Sequence, residues 1–147
     1  MSIEDDVALL ERVSTLRLLG DTALRMLAIG SEQRNFERGD VLFHAGDQAD
    51  AGYVVQYGAF RVEDGGAEII AGPGALIGEL ALIVPMKRPS TATALERSTC
   101  IRIARSLFQR VLESDPAAAR KLRDEFAKRT SQIASDIVVA GRKMGKS

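Results

Sequence analysis

The residues best suited to chemistry lie in the stretch 72–93. A β-like texture is interrupted there by Gly72-Pro73-Gly74-Ala75-Leu76-Ile77-Gly78-Glu79-Leu80-Ala81-Leu82, followed by Ile83-Val84-Pro85-Met86-Lys87-Arg88-Pro89-Ser90. Gly72-Pro73-Gly74 has the composition of a tight turn that re-aims the chain. Gly78 admits a positive φ or a close approach of backbone to ligand. Glu79-Leu80-Ala81-Leu82 supplies one helical turn directly afterwards, and the outward amides of such a turn carry the positive ends of peptide dipoles, where a phosphate is stabilised. Arg88, nine residues beyond Glu79, can return to the same place and neutralise that phosphate with paired hydrogen bonds. Glu79 repels an anion, but a carboxylate accepts hydrogen bonds from sugar hydroxyls. Phosphate and hydroxyl side by side describe a nucleotide.

Each residue alone has a plainer reading. A Gly-Glu pair is a turn, an isolated arginine is a solvated surface residue, and Gly39, Gly46, Gly58 and Gly72 are turn residues only. The combination at this spacing reverses that reading for Gly78, Glu79 and Arg88. His44 is the sole histidine and Cys100 the sole cysteine, so the ligands of a catalytic metal centre are missing, and His44 takes a structural role in a hairpin. No serine sits in a nucleophile elbow. The expectation is a binding module without metal or cofactor, and not an enzyme.

The elements that must position these residues are legible from periodicity. Ser2 and Asp5 have capping-box spacing before Val7, Leu10 and Val13, which predicts an amphipathic helix over 3–14. Gly20-Asp21-Thr22 breaks it and offers Asp21 or Thr22 as the cap of a second helix ended by Gly30. Short strands follow at 33–36, 41–44, 53–56, 59–63, 68–71, 91–95 and 99–103, separated by glycine-rich turns. Such spacing predicts an antiparallel barrel or sandwich. Beyond Ala104, Leu107, Phe108, Val111 and Leu112 form one helical face, and Asp115-Pro116 supplies a cap and a first-turn proline. Leu122, Phe126, Ile133 and Ile137 then mark the apolar stripe of a long helix to about 140, buried on the barrel, a ligand or a second copy of the chain.

Bulk properties agree with one unit. The 147 residues suit a single domain, and 46% hydrophobic with 27% charged residues is an ordinary globular composition. Twenty basic residues balance twenty acidic ones, which gives no overall field toward nucleic acid or an anionic membrane. Arg142, Lys143 and Lys146 read as a solvated, frayed end. The first residues are acidic and unlike a signal peptide, no apolar run approaches the roughly 20 residues of a membrane-spanning helix, and the lone Cys100 lies in a core-facing alternation. The expectation from these features is a cytoplasmic protein.

Gly78-Glu79-Leu80-Ala81-Leu82, then Arg88, then Ser90-Thr91-Ala92 resembles the phosphate-binding cassette of cyclic-nucleotide-binding domains. Such domains occur in catabolite-activator-type bacterial regulators, in regulatory subunits of cyclic-nucleotide-dependent kinases and in cyclic-nucleotide-gated channels. The stretch 36–47 resembles the family's first barrel hairpin, and Tyr53-Val54-Val55-Gln56-Tyr57-Gly58 its next strand and glycine turn. The likeness covers about 16–126. It implies a mainly β fold with flanking helices: an antiparallel β-barrel or jelly roll over 31–104 carrying the cassette at 72–91, N-terminal helices at 3–30, and a C-terminal helical lid at 105–140. It also implies that amides near Leu80 and Ala81 and the Arg88 guanidinium hold a cyclic phosphate, that Glu79 takes the ribose 2′-hydroxyl, and that the lid covers the base. The ligand-binding candidates are Gly78, Glu79, Leu80, Ala81, Arg88, Ser90 and Thr91, and the ligand is cAMP or cGMP. One departure matters: the residue after the arginine is usually small, with an amide that helps hold the phosphate, and Pro89 has none.

Three functions compete. The first is a sensor that passes ligand binding through its C-terminal helices to a protein partner. The second is a barrel that has lost its ligand and serves interaction or dimerisation through the C-terminal stripe. The third, a transcription factor, is disfavoured by balanced charge and by the roughly forty residues after the barrel, which read as helices without a recognition helix.

Overall fold

A computed structural model describes residues 2–64, 66–129, 137–139 and 142–143. The chain opens with α1 (Ile3–Glu11), α2 (Ser14–Arg17) and α3 (Asp21–Gly30). Ser2 caps α1 by accepting the Asp5 amide at 3.1 Å. The single helix expected over 3–14 is instead two, because Val13 takes an extended conformation (φ −86°, ψ 116°) and turns Thr15 and Leu16 inward, where both are buried. Nor do Asp21 and Thr22 cap the next helix: Gly20 does, at φ 89°, with no side-chain cap.

The strands are β1 (Glu32–Phe36), β2 (Val41–Phe43), β3 (Gln48–Ala49), β4 (Ala51–Tyr57), β5 (Phe60–Asp64), β6 (Ala67–Ala71), β7 (Leu76–Ile77), β8 (Met86–Lys87), β9 (Ala92–Ala94) and β10 (Ser98–Ala104). After them come α4 (Arg105–Ser114), α5 (Pro116–Arg129), β11 (Ile137–Val139) and β12 (Arg142–Lys143). All pairings are antiparallel. A six-stranded sheet runs β1-β10-β4-β7-β11-β12, a four-stranded sheet runs β2-β9-β5-β6, and β3 and β8 form a separate ribbon. The expected antiparallel fold is therefore realised as two packed sheets in jelly-roll style.

Strand β4 shows how one sheet serves two cores. Ala51, Tyr53 and Val55 face the other sheet, together with Phe43, Phe60, Val62, Ala71, Ile77 and Cys100. Val54, on the opposite face, joins Leu76, Ile101 and Ile103 under a helical layer of Leu10, Val13, Leu16, Leu24, Leu27 and Phe108. Alternate residues thus enter different cores, as the pleat dictates. Cys100 faces the inter-sheet core as the alternation predicts, and burial pushes its thiol up to about 12, leaving it uncharged and unreactive.

At the C-terminal end, Asp115 accepts the Ala118 amide at 3.1 Å and Pro116 occupies the first turn of α5, as expected. Leu122 is buried and Phe126 packs against the helical core, so this half of the stripe is covered by the chain itself. The helix does not continue to 140. Ile137-Val138-Val139 is a β-branched run, and it pairs with β7 (Ile137↔Ile77, Val138↔Leu76), where such residues fit better than in a helix. Arg142 and Lys143 are paired with β11 rather than frayed. Ile133 and Lys146 lie outside the described residues. Among the described residues, no helix is long and apolar enough to cross a membrane.

Candidate functional site

Strand β7 delivers the chain to the site. Gly74, at φ 88°, closes the Gly72-Pro73-Gly74 turn by donating to the Val55 carbonyl at 2.8 Å, and Ala75 donates to Gly72 at 3.0 Å. Tyr53 pairs with Ile77, which fixes the register of the next residue, Gly78. Gly78 has φ +85°, and a Cβ built on it would lie 2.5 Å from Nη1 of Arg88 and 3.3 Å from the Ala51 carbonyl oxygen. Both its conformation and its surroundings therefore require glycine. Leu80–Leu82 then form a 3-10 turn, the single helical turn expected there.

Arg88 returns to this point. Its backbone is clamped by the turn between β2 and β3: its amide donates to Asp47 at 2.7 Å and its carbonyl accepts from Gly46 at 2.8 Å. The side chain is only 4% exposed. Nη2 donates to the Ala51 carbonyl at 2.8 Å, and the guanidinium carbon lies 4.1 Å above the Phe43 ring and 5.6 Å from the Tyr53 ring. A cation over an aromatic face is stabilised by the ring quadrupole, which helps to offset its desolvation. A guanidinium so fixed presents a set of donors in one orientation.

Glu79 is also buried, at 3% exposure. Its Oε2 accepts a buried hydrogen bond from the Thr15 hydroxyl on α2. The turn uses the Ala81 amide internally, donating to Gly78 at 3.2 Å, while Leu80 is 44% exposed. Ser90 is buried; the Thr91 hydroxyl accepts the Ala45 amide at 2.9 Å and so braces the β2–β3 turn. Pro89 is exposed. His44 is exposed in that same turn, its amide donating to Asp47 at 3.0 Å.

The spacing argument thus brings Gly78, Glu79 and Arg88 together in space. Four participants escape it. Phe43 and Ala51 lack any polar signal that would mark them. Thr15 is 64 positions from Glu79, so no local motif joins them. Arg105, at the start of α4, donates through Nη1 to the carbonyls of Ala49, Ala81 and Val84 at 2.9, 3.1 and 3.3 Å, stitching β3 and the 3-10 turn to that helix.

The model of the cyclic nucleotide-binding domain family matches residues 33–115. The chain is 32% identical over 110 residues to the HTH-type transcriptional regulator Cmr of Mycobacterium tuberculosis, covering 71% of this chain and 45% of that protein. It is 28% identical to a cAMP-dependent protein kinase regulatory subunit of Yarrowia lipolytica, over 81% of this chain and 32% of the relative. It spans less than half the length of these relatives. The crystal structure of the N-terminal domain of a Streptomyces coelicolor A3(2) transcriptional regulator superposes with a TM-score of 0.76 at 32% identity, covering 84% of this chain and 91% of that one. With a match over more than half its residues, and the turn glycine, acid and arginine of the cassette assembled in one place, the chain belongs to the cyclic nucleotide-binding domain family.

Proposed function

We propose that the chain is a cytoplasmic regulatory module that binds cAMP or cGMP and acts on a protein partner through its C-terminal helices, without catalysing a reaction. The observation that carries this reading is the buried Arg88 guanidinium, held over Phe43 and against Gly78 in the cassette. Burying a cation is costly, and a site that keeps one oriented is suited to an anion. In this reading Arg88 binds the cyclic phosphate, Glu79 accepts the ribose 2′-hydroxyl, and Gly78, Leu80, Ala81, Ser90 and Thr91 shape the surrounding wall. Arg105 supports the signalling half, because it joins the turn that meets the ligand to the first residue of α4. A ligand that favours one placement of the turn then biases the helix.

Calorimetry with both nucleotides tests this. The expected result is binding by the wild-type chain and a loss of about a hundredfold or more in Arg88→Ala, since two charge-assisted hydrogen bonds are removed. Absence of binding at high micromolar nucleotide defeats the reading. Pro89 favours a second one, in which the fold serves interaction or dimerisation without a ligand, because no amide hydrogen exists at that position. A melting temperature unmoved by saturating nucleotide, together with a dimer in sedimentation, supports that alternative.

A further inference from the structure

We propose that β11 is a strap on the ligand site: its pairing with β7 holds the strand that delivers Gly78, so that occupation of the cassette and attachment of the C-terminal strands are coupled. This inference rests on the nucleotide reading given above. It starts from a strand of two residues held between two partners. Tyr53 and Val54 of β4 pair with Ile77 and Leu76 on one side, and Ile137 and Val138 of β11 pair with the same two residues on the other. In an antiparallel ladder, successive residues turn their N–H and C=O groups to opposite edges. Strand β4 therefore satisfies one of the two, and β11 satisfies the other. Leu76 is 0% exposed and Ile77 1%, so in the paired state no water stands in for a missing partner.

The attachment is short enough to be reversible. β11 meets β7 over two residue pairs and β12 over two more, and elements with so few pairings open before the rest of a fold. Their composition suits the place nonetheless. Ile137-Val138-Val139 is β-branched throughout, and Arg142 and Lys143 put charge on the outermost strand, which discourages a further strand from adding there. Coupling follows from what lies next to Ile77 in the chain. Gly78 is the following residue, and a Cβ built on it would lie 2.5 Å from Nη1 of Arg88. The last paired residue of β7 is thus one position from the wall that faces an anion. A ligand that restrains Gly78 restrains Ile77 as well and favours its pairing with Ile137. By reciprocity, the pairing favours the ligand by the same factor. The two-state element that both sites bias is then the β7–β11 ladder itself.

Residue-resolved amide exchange and calorimetry on the full chain test this, for wild type and for Ile137→Pro/Val138→Pro, which removes both paired amides of β11. Without ligand, the double variant is expected to exchange faster by about tenfold at Leu76 or Ile77, with Gln33 and Ile101 of the β1–β10 pair unchanged. With saturating cAMP or cGMP, the wild type is expected to exchange about tenfold more slowly at residues 137–139. The double variant is expected to bind the same nucleotide about tenfold more weakly, because reciprocity requires the two factors to agree. A strand that is only structural moves the ligand-free exchange alone. The proposal is overturned if the double variant's affinity stays within about threefold of wild type, or if nucleotide leaves exchange at 137–139 unchanged. Should the prolines prevent folding, Ile137→Gly/Val138→Gly keeps the amides but weakens the strand. There a loss of about threefold or more in affinity supports the proposal, and a smaller change overturns it. Failure of the wild type to bind either nucleotide overturns the function given above and the coupling with it, whereas binding without coupling overturns the strap alone.

Discussion

The two ends of the site hang on different parts of the molecule. Arg88 belongs to the β-structure: its backbone is clamped by the β2–β3 turn, its side chain bonds Ala51 at the start of β4, and its guanidinium rests on Phe43 of the inter-sheet core. Glu79 reaches the helices through Thr15, and Leu82 of the turn that follows it joins the same helical core as Leu10 and Leu16. Strand β7 divides between them, Leu76 entering the helical core and Ile77 the inter-sheet core. The difference teaches that the cation is held within the β-structure, whereas the acid, delivered by β7, adds a tie to the helices through Thr15. A displacement of the helices should therefore change how a ligand hydroxyl is recognised before it changes the grip on an anion.

Breaking the anion end outright is the largest expected effect, and Arg88→Ala sets that scale. Gly78→Ala comes next. The new Cβ meets Nη1 of Arg88 and must adopt φ +85°, so a loss of about 1–3 kcal/mol in stability is expected from the backbone alone. Thermal melting should fall by roughly 2–10 °C, and nucleotide affinity should drop with it as the guanidinium is displaced. A comparable loss of stability, without displacing Arg88, should follow Arg105→Ala, which cuts the tie of β3 and the 3-10 turn to α4. Its Nη1 serves one carbonyl in β3 and two at the turn, and losing a charged donor shared among them is worth about 1.5–3 kcal/mol. Melting and binding should both weaken. A melting temperature within error of wild type would show that the two ends are independent of α4.

What could be seen in the sequence follows the same division. The cassette was legible because its signals are local: a glycine that needs positive φ, an acid next to it, and an arginine within one loop. The strands with alternating burial or clear turn residues at their ends could be read for the same reason. The two-residue strands β3, β7 and β8 could not, since two residues carry no periodicity and exist through their pairings. Thr15 was hidden more deeply. Its part in the site depends on a break at Val13 that helical periodicity passes over, and on a partner in the far half of the β-unit. The apolar spacing of Ile133 and Ile137 misled in the opposite way, because Ile137-Val138-Val139 satisfies a helical stripe and a strand equally well and finds a pairing edge on β7.

Pro89 allows the comparison to be sharpened at the anion end alone. Replacing it with alanine adds one amide hydrogen next to Arg88 and touches nothing on the helical side. Two consequences of opposite sign follow. Loss of the ring releases the unfolded chain and should lower stability by about 0.4–1 kcal/mol, since proline at an exposed position acts chiefly by restricting that state. A restored donor to a charged phosphate should meanwhile tighten binding by about tenfold. The preference for a ribose ligand over its 2′-deoxy analogue, the ribose-to-deoxy ratio, should stay at its wild-type value, because Glu79 is the residue proposed to take the 2′-hydroxyl. Calorimetry and melting on the same Pro89→Ala sample separate these effects. An affinity that fails to rise would mean that the amide of residue 89 does not face the anion, and a ratio that changes would mean that the two ends are not separate.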